Sequence, residues 1–576
     1  MLPEKKKNVL RWIRKLQPEA RGRSKEARKL TEAILFYWQK ISYSELTKGK
    51  SVPAPRFANN KAIPRFVDWI VEMDFLDAAF WLSSAYAIWI GDESRRSQAM
   101  YFTPPELSAR IIENLKAHGA SMTKHKWMDP ACGGAAFLAP VAIQMALALK
   151  KQGKSSSATL KHIATHLVGN DVNPFLKKLS NEFLKMALYE DVMATEKVPR
   201  FCLHQVDALV GLERYVGKVD VVICNPPYRK ITNEERAGLR LQYADLVGGQ
   251  PNLYGLFFRL STKLLKPEGV AGLLTPTSFF SGVNFAAVRN HITSQTKVLQ
   301  LDLFHERSRL FVGAQLDAAI TICERRNKPV TRRSATSVYS LSKAGNFNEV
   351  GDLHLPQGNA IWPIPRWKDD MRILKMVNGT SYKFSDYGYT PRVGAFVWNR
   401  DRRHRFKSKK QALTARAPYP LIWSSDVSQS GQFQFGRSRY VDDHHIYVNM
   451  QKVNHRSVIR RPSVVLQRVT SADQRRRLVG APLDGRLIEQ FGGVVGENHV
   501  LFLEQNNLSA KVTPAQLAKV LRSTTMDRLF RCFSGAVNVS VSELESLPLP
   551  NPDILVRYLR DGVSVDMAIK KAFKEH

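Results

Sequence analysis

The stretch VDVVICNPPY, residues 219–228, decides the fold expected of this chain. Its apolar, β-branched run ends abruptly at Pro226 and Pro227, because proline donates no backbone hydrogen bond and fixes its own φ. The pattern predicts a buried strand that leaves Asn225 and Tyr228 at its carboxyl end. Open α/β sheets bind their ligands at that edge, so we expect the chemistry of the protein to lie here.

The surrounding sequence predicts an α/β fold. From about residue 101 to residue 327, strand-like runs alternate with helical patterns such as ELSARIIENLKAHG, which is typical of a parallel sheet with helices on both faces. The strand-like runs are HLVGNDV, FCLHQVDAL, VDVVICN, GVAGLLTP and DAAITICE. We therefore predict a central α/β domain over residues 96–328.

The sequences on either side of this domain differ from it in composition. Residues 1–95 are predicted to form a basic helical lead-in, in which FLDAAFWLSSAYAIWI (75–90) is too short, and too interrupted by Asp77 and two serines, for a membrane span. We interpret it as a buried helix. Beyond residue 328 short β-like segments, prolines, glycines and basic clusters predominate, which predicts a separate mixed α/β domain over residues 329–576.

Composition narrows the class of partner. The formal net charge of +35 on 576 residues indicates a polyanion, since Lys and Arg that displace condensed counterions are the main source of nucleic-acid affinity. A ribosome or an acidic membrane would fit the same balance. The 5 cysteines form no C-x-x-C pair, so we expect no metal site and no disulfide framework. With no secretory signal pattern, a reduced cytoplasmic compartment is the expectation.

Asn225 and Pro226 form a pair of hydrogen-bond acceptors, the amide oxygen and a backbone carbonyl that proline holds in place. Such a pair suits an amino group conjugated to a ring or a carbonyl, whose nitrogen is a poor nucleophile. Two acceptors aimed at its hydrogens favour the pyramidal form that attacks carbon. Tyr228 offers a flat face for a base that has left its helix. A strand-ending turn explains the same residue types without any chemistry.

Three upstream segments suggest a nucleotide-like cofactor. DPACGGAAFL, from Asp129, is a small-residue loop that leads into an alanine-rich helix, as expected where a cofactor approaches the first strand. Asp171 and Asp207 each follow a predicted strand, where an acidic side chain is placed to bind ribose hydroxyls. Each segment by itself is equally compatible with a plain loop.

Together these segments resemble the gamma-class N6-adenine DNA methyltransferases. The resemblance lies in the order of YFTPPELSARII, DPACGGAAFL, GNDVNP, VDAL, NPPY and NLYGLFF, and covers residues 101–324 well. It continues weakly into YTPRVGAFVWNR, PLIWSSDVSQ, SVVLQRVTSADQRRR and NVSVSELESLPLPNP. It implies a Rossmann-like sheet that uses S-adenosylmethionine, methylation of adenine N6 in duplex DNA by base flipping, and a C-terminal target-recognition domain.

The resemblance also implies roles for individual residues. Those implied to hold the cofactor are Tyr101, Thr103, Pro104, Asp129, Ala131, Cys132, Gly133, Asp171, Asp207 and Asn225. Those implied to clamp the target adenine are Asn225, Pro226, Pro227 and Tyr228, with Phe311 as a second aromatic against the flipped base. One departure concerns the cofactor loop, where many relatives have Gly-x-Gly and this chain has Gly133-Gly134-Ala135.

Basic clusters in the C-terminal domain have two interpretations, a solvated surface or a groove that follows DNA phosphates. The concentration of charge in one domain favours the groove. The arginines predicted to bind DNA are Arg400, Arg402, Arg403, Arg405, Arg468, Arg475, Arg476 and Arg477. Most are expected on phosphates and one or two on guanine edges.

Other functions fit the same motifs. NPPY also occurs in enzymes that methylate glutamine side chains of release factors, although the large basic domain favours a nucleic acid, RNA or DNA. A fused restriction endonuclease lacks a recognisable nuclease pattern, and a non-catalytic relative would be expected to lose NPPY. A modification subunit that needs a separate specificity subunit stays open. A separately encoded restriction endonuclease is an expected partner of a DNA methyltransferase of this kind.

Overall fold

A computed structural model describes most of the chain. The described residues are 3–18, 22–51, 62–195, 198–248, 251–304, 317–327, 334–342, 345–380, 382–453, 455–470, 474–506, 510–534 and 538–575. The chain forms two compact units. Unit 1 comprises Met1–Phe279, Asn284–Phe347 and Asp352–Ala360, and unit 2 comprises Phe280–Val283, Asn348–Gly351 and Ile361–His576.

The largest sheet has nine strands among the described residues, in the order β3-β2-β1-β4-β5-β7-β6-β8-β9. Its strands are β1 (Trp127–Asp129), β2 (Leu167–Asn170), β3 (Cys202–His204), β4 (Val219–Cys224), β5 (Leu265–Pro276), β6 (Thr296–Phe304), β7 (Ala318–Arg325), β8 (Ala335–Leu341) and β9 (Phe347–His354). The predicted strand before NPPY is therefore present as β4, in which residues 221–224 are buried.

Strand direction makes this a parallel-rich sheet. β1 pairs in parallel with β2 and β4, and β4 with β5, whereas β7 runs antiparallel between β5 and β6. The order reverses at β1, because the chain first adds β2 and β3 on one side and then returns to add β4 on the other. Ligands bind at such a switch point, at the carboxyl ends of the strands. The predicted α/β fold class is confirmed.

Helices of unit 1 cover this sheet and form the lead-in. They are α1 (Pro3–Lys15), α2 (Arg23–Ser42), α3 (Ala62–Val71), α4 (Phe75–Trp89), α5 (Asp92–Ser97), α6 (Pro105–Ala117), α7 (Leu138–Lys151), α8 (Ser156–His166), α9 (Pro174–Ala187), α10 (Tyr189–Thr195), α11 (Asn233–Tyr243), α12 (Leu253–Leu264) and α13 (Ala286–Gln295). The predicted buried helix is α4, in which Trp81 and Trp89 are almost fully buried.

One apolar core joins the lead-in to the sheet. Ile34 and Trp81 from the N-terminal helices belong to the same buried cluster as Leu138 of α7 and Val221 of β4. Burying such side chains contributes about 1.5–3 kcal/mol each. Residues on both sides of the predicted 95/96 division thus fold as one body, and the sheet continues past residue 328 through β8 and β9.

Unit 2 contains two smaller sheets, ordered β10-β17-β14-β15 and β11-β13-β12-β16. Their strands are β10 (Tyr389–Val393), β11 (Arg405–Phe406), β12 (Pro418–Ile422), β13 (Tyr447–Asn449), β14 (Ser463–Gln467), β15 (Gly480–Pro482), β16 (Val495–Gly496) and β17 (Val500–Gln505). The first sheet is antiparallel throughout, and in the second β12 and β16 are parallel.

The helices of unit 2 include a C-terminal group that packs on the first of these sheets. They are α14 (Lys368–Met376), α15 (Lys409–Ala412), α16 (Arg437–Val441), α17 (Gly485–Phe491), α18 (Pro514–Leu521), α19 (Thr524–Phe533), α20 (Val541–Ser546), α21 (Pro552–Arg560) and α22 (Val565–Lys574). Val464 of β14, Leu517, Phe530 and Phe573 share one buried cluster. Across the described part of the chain, none of the helices has the length and apolarity needed to cross a membrane.

Candidate functional site

A cavity of about 590 Å³ opens where β1, β2, β3 and β4 end in unit 1. Its volume lies within the range of about 300–1,000 Å³ usual for small-molecule sites. Among the residues that line it are predicted ones from five separate stretches of sequence: Tyr101, Thr103, Asp129, Ala131, Cys132, Gly133, Asp171, Asp207, Asn225 and Pro227. The carboxyl edge of the sheet therefore brings together most of the residues that the sequence singled out.

The loop after β1 is tightly turned. Gly133 has φ +53°, and a Cβ atom there would lie 3.2 Å from the ring of Phe102. Ala135 also takes a left-handed conformation, φ +59°, which costs an L-residue about 1 kcal/mol. Ala135 thus has a backbone conformation typical of glycine and adds only a methyl group to the turn.

Asp171 closes this loop from the neighbouring strand. Its Oδ2 accepts a hydrogen bond from the Gly133 amide at 3.0 Å, and its Oδ1 accepts one from the Asn173 amide at 2.8 Å. Burial raises the pKa of Asp171 to about 6, although both hydrogen bonds oppose the shift. Each carboxylate oxygen keeps a further lone pair, so the group can accept two more hydrogen bonds from a ligand in the cavity.

Asn170, which the sequence did not single out, hydrogen-bonds the loops after β1 and β3 from the end of β2. Its Nδ2 donates to the carbonyls of Pro130 and Val206, both at 3.1 Å, and its Oδ1 accepts from the Val206 amide at 3.1 Å. Its own carbonyl accepts from the Cys132 amide at 2.8 Å. One buried side chain therefore fixes the loops after β1 and β3 to the end of β2.

Asp129 and Asp207 stand in opposite environments. Asp129 is buried and its Oδ1 accepts from the Ala131 amide at 3.0 Å, while burial raises its pKa well above the usual range. Asp207 is exposed, and its Oδ1 accepts from the Leu209 amide at 3.0 Å. Asp129 therefore stabilises the loop after β1 from its buried side, whereas Asp207 remains accessible to a ligand in the cavity.

The amide of Asn225 is held in one orientation. Its Nδ2 donates to Thr103 Oγ1 at 3.0 Å and to the Tyr101 carbonyl at 3.1 Å, two residues more than 100 positions upstream. Both donor hydrogens are thereby used, so Oδ1 is the end of the amide left to accept. Thr103 thus contacts Asn225 directly, which sequence reasoning did not anticipate.

Tyr228 is linked to the same amide. Its hydroxyl donates to Asn225 Oδ1 and lies 2.7 Å from the Leu274 carbonyl, while its ring meets Tyr254 edge to face at 6.1 Å. Burial raises the pKa of Tyr228 well above its usual range, so the hydroxyl stays neutral. Asn225 Oδ1 keeps a second lone pair for a ligand. Pro226 is buried beside it and Pro227 lines the cavity.

A wall of the cavity comes from the residues just after NPPY, which sequence reasoning missed. Arg229 and Glu235 both line it and form a bidentate ion pair, with Nη1–Oε2 2.8 Å and Nη2–Oε1 2.5 Å. Glu235 also accepts from the Thr232 amide in the capping box of α11. The contact with Arg229 lowers the pKa of Glu235 to about 2. The only local signal was T-x-x-E, which reads as a helix start.

Of the predicted cofactor and target-base residues that the structure describes, Pro104, Pro226 and Tyr228 are not among those that line the cavity. Pro104 is the N-cap residue of α6, and its carbonyl accepts a hydrogen bond from Ser108 Oγ at 3.2 Å. Phe311 lies outside the described residues, so its predicted role stays a prediction.

The predicted DNA-binding arginines, all in unit 2, differ in their surroundings. Arg400, Arg402 and Arg475 are exposed. Arg403 is half-buried, with Nε 2.8 Å from Asp401 Oδ1. Arg405 is half-buried too, and its Nη1 lies 3.4 Å from the Trp398 carbonyl.

Arg468, Arg476 and Arg477 are less open. Arg468 Nη1 donates to the Asn498 carbonyl at 2.9 Å, and Arg476 is half-buried. Arg477 differs from the expectation of a DNA contact: its side chain is buried, donates to Ser534 Oγ at 2.8 Å and hydrogen-bonds the Thr470 carbonyl. Arg477 therefore stabilises the fold of unit 2, because its guanidinium is already occupied by protein acceptors.

Comparison with known proteins gives a consistent picture. A model of the family described as Eco57I restriction-modification methylase matches residues 138–311. Type II methyltransferase M.BsuBI of Bacillus subtilis is 24% identical over 346 residues, 58% of this chain and 66% of that protein. Type II methyltransferase M.BanIII of Aneurinibacillus aneurinilyticus is 23% identical over 261 residues, 43% of this chain and 42% of that protein.

Among solved structures, the Type IIL restriction-modification enzyme MmeI in complex with DNA has a TM-score of 0.52 at 11% identity, covering 85% of this chain and 78% of that one. At this identity the likeness supports the fold alone. The chain spans less than two thirds of the length of the two type II methyltransferases. The matches thus support a methyltransferase of the restriction-modification kind.

Proposed function

We propose that this protein is a site-specific DNA methyltransferase that transfers a methyl group from S-adenosylmethionine to adenine N6 in duplex DNA. The observation that carries the proposal is the single cavity lined by both Asp171 and Asn225. Asp171 is suited to accepting hydrogen bonds from the hydroxyls of a nucleoside, and Asn225 to accepting them from a conjugated amino group. The family match over residues 138–311, which includes β2, β4 and NPPY, supports the same reaction class.

The residues present fit the cofactor. S-adenosylmethionine, when bound, supplies a methyl group on a positively charged sulfur. Asp171 would accept hydrogen bonds from its ribose hydroxyls, because the carboxylate is fixed by two backbone amides and retains free lone pairs. Gly133 leaves the space beside Phe102 that a side chain would fill. Asp207, exposed at the rim, would accept from the adenine amino group.

Asn225 and Pro226 would act on the target base. The two acceptors, Asn225 Oδ1 and the Pro226 carbonyl, would bind the hydrogens of adenine N6 and favour its pyramidal, nucleophilic form. Thr103 is a positioning residue here, since its hydroxyl holds the Asn225 amide with the oxygen free to accept. No strong base is required if the proton leaves N6 after the methyl group arrives.

The target adenine must leave the duplex to reach this edge of the sheet, at a cost of a few kcal/mol. Tyr228 would stack on the extruded base and, through its hydroxyl, hold Asn225 Oδ1 from one side. Phe311 is proposed as the second aromatic, and unit 2 as the part that recognises the target sequence. Duplex DNA is the proposed substrate, and a separately encoded restriction endonuclease the proposed companion in the cell.

A methylation assay tests the proposal. We would incubate the purified protein and isotope-labelled S-adenosylmethionine with plasmid DNA, with RNA and with a release factor, and identify the product by mass spectrometry. We expect N6-methyladenine in DNA alone. Expression in a host that lacks DNA methylation, followed by single-molecule sequencing, should then give one methylated motif.

Asn225→Ala should slow single-turnover methylation by about 100-fold or more, because it removes one preorganised electrostatic partner. Asn290→Ala, an exposed asparagine on α13, is the matched control and should methylate normally. Label in RNA or glutamine instead of DNA would overturn the proposed substrate. Near-normal methylation by Asn225→Ala, with DNA binding intact, would overturn the proposed mechanism.

A further inference from the structure

In unit 2 the side chain of Arg522 lies against a tight turn at Gly431. Gly431 has φ +78°, and its amide donates to the Ser428 carbonyl at 2.9 Å. A Cβ atom at Gly431 would overlap the Arg522 guanidinium, so glycine is needed for the guanidinium to occupy this place. Arg522 itself follows α18 and directly precedes the N-cap residue of α19, which fixes its backbone between two helices.

The Arg522 guanidinium lacks a counter-charge among the described residues. Its Nε is buried without a hydrogen-bond partner, and no carboxylate within that part of the chain lies in ion-pair distance of it. Burial lowers the pKa of Arg522, and the positive charge of Arg476 lowers it further. The Arg522 guanidinium therefore lies against the Gly431 turn, partly buried, without an anion beside it among the described residues.

Such an arrangement is unfavourable until an anion is bound, because desolvation and like-charge repulsion both oppose the charged guanidinium. Elsewhere in unit 2, Arg403 is paired with Asp401, and Arg528 with Asp369 and Asp370, whereas the half-buried Arg405 and Arg468 contact backbone carbonyls. Arg522 differs from these arginines in that its side chain has no hydrogen-bond or ion-pair partner among the described residues.

We infer that Arg522, set against the Gly431 turn, binds a phosphate group of the DNA backbone, with Arg476 adding positive charge to the site. Guanidinium groups match the oxygens of phosphate with paired hydrogen bonds, better than the point charge of lysine does. The exposed Arg475 neighbours the site in sequence, and the turn adds the Ser428 and Ser430 hydroxyls. Arg522 was not among the arginines predicted from sequence.

The site rests on the proposed function, since a phosphodiester is expected only if unit 2 binds DNA. A phosphate contact positions the protein without reading sequence. Loss of the site should therefore weaken binding to the methylated motif and to unrelated duplex by the same factor. It should also lower the slope of log Kd against log salt concentration by about 1.

The test compares Arg522→Gln, Arg476→Gln and Gly431→Ala with the wild-type protein in DNA-binding titrations over a range of salt concentrations. Gly431→Ala displaces the guanidinium without removing it, so it should reproduce the effect of Arg522→Gln. Arg486→Gln is the matched control, because Arg486 is exposed in unit 2 and already paired with Asp484 at 2.8 Å. Its salt slope should equal that of the wild-type protein.

A second measurement, thermal unfolding with inorganic phosphate against chloride at equal ionic strength, separates a DNA phosphate from a free one. An unchanged salt slope in the Arg522 and Gly431 variants overturns the inference. If phosphate then still stabilises the wild-type protein more than Arg522→Gln, the site serves a free phosphate instead. Failure of the wild-type protein to bind DNA at all would count against the proposed function itself.

Discussion

The strand-end cavity of unit 1 and the arginine clusters of unit 2 handle charge in opposite ways. In the cavity each buried acid is held by backbone amides of its own unit, as Asp129 is by Ala131 and Asp171 by Gly133 and Asn173. In unit 2 exposed arginines such as Arg400 and Arg475, and the partly buried Arg522, extend without a carboxylate among the described residues. The buried acids of the cavity are satisfied within their own unit, whereas the arginine surface would be completed by the proposed DNA partner.

This difference separates two kinds of binding. A site whose polar groups are satisfied internally is preorganised for a small ligand and exchanges few ions when it binds. A surface with unpaired cations releases counterions when a polyanion replaces them. If the proposed function is correct, the +35 net charge of the chain thus affects the binding of DNA far more than that of the cofactor.

We expect the largest difference between the cavity and the arginine clusters in how their ligand affinities depend on salt concentration. Raising the salt concentration from about 50 to about 200 mM is expected to weaken DNA binding by about 1,000-fold if about six phosphates are contacted. Over the same range the affinity for S-adenosylmethionine should change by less than about two-fold, since screening acts weakly inside a cavity. Fluorescence titration of both ligands in the same buffers measures this. Equal salt dependence of the two affinities would contradict the division of roles.

Removing the Asp171 carboxylate should give the next largest effect. Asp171→Asn is expected to raise the Kd for S-adenosylmethionine by about 10- to 100-fold, because a hydrogen bond to a charged group contributes about 1.5–3 kcal/mol. Isothermal titration calorimetry measures the change.

Asp171 also predicts a pH dependence. Its pKa is raised to about 6, so the carboxylate becomes protonated as pH falls through that value and accepts hydrogen bonds less well. Cofactor affinity in the wild-type protein should therefore be constant above about pH 7 and fall below pH 6. Asp171→Asn should be flat across this range. A wild-type affinity that is independent of pH between 5 and 7 would argue against a direct contact with Asp171.

The Arg229–Glu235 pair should have a smaller effect on the same ligand. The pair is about one third exposed, so its contribution is close to that of a surface pair, about 0.5–1 kcal/mol. Glu235→Gln, Arg229→Gln and the double variant should each raise the Kd for S-adenosylmethionine by about two- to five-fold. The double variant should add little to either single change. Strict additivity would show that the two side chains act separately.

The smallest effect concerns the turn after β1. Ala135→Gly should raise the free energy of unfolding by less than about 1 kcal/mol, because glycine takes φ near +59° without strain. Ala139→Gly, in α7, is the matched control and should lower the free energy of unfolding by about 1 kcal/mol. Urea unfolding measures both. The same sign for both variants would show that Ala135 is not strained.

Much of the sheet could be predicted because most of its central strands are buried and apolar. Strand-like runs predicted β2, β3, β4, β5 and β7, and NPPY marked where β4 ends. Strand β6 was missed because Lys297, Gln300 and Asp302 interrupt its apolar pattern. Asp302 is nonetheless buried, since Arg110 and Asn114 of α6 satisfy its carboxylate across 188 or more positions of sequence. A sequence gives no indication of partners that distant.

Prediction of the candidate site from the sequence was limited in the same way, by contacts between residues that are distant in the chain. Residues at strand ends were predictable because the sheet alone places them, whereas their supporting contacts were not. Thr103 was expected beside the cofactor and is found on the Asn225 amide. Arg477 was expected on DNA because it ends a basic run, but Ser534, 57 positions later, binds its guanidinium inside the unit. The local sequence indicates charge and periodicity, but it says little about which group a charged side chain contacts.

Asn170 carries a consequence for the thermodynamics of ligand binding. Its one amide joins the loops after β1 and β3 to the end of β2, so these loops are ordered when the protein folds and not when a ligand arrives. The entropy of ordering them is thus part of the folding equilibrium. Ligand binding should accordingly show a small heat-capacity change, from apolar contact within the cavity alone, and Asn170→Ala should enlarge it by coupling loop ordering to binding.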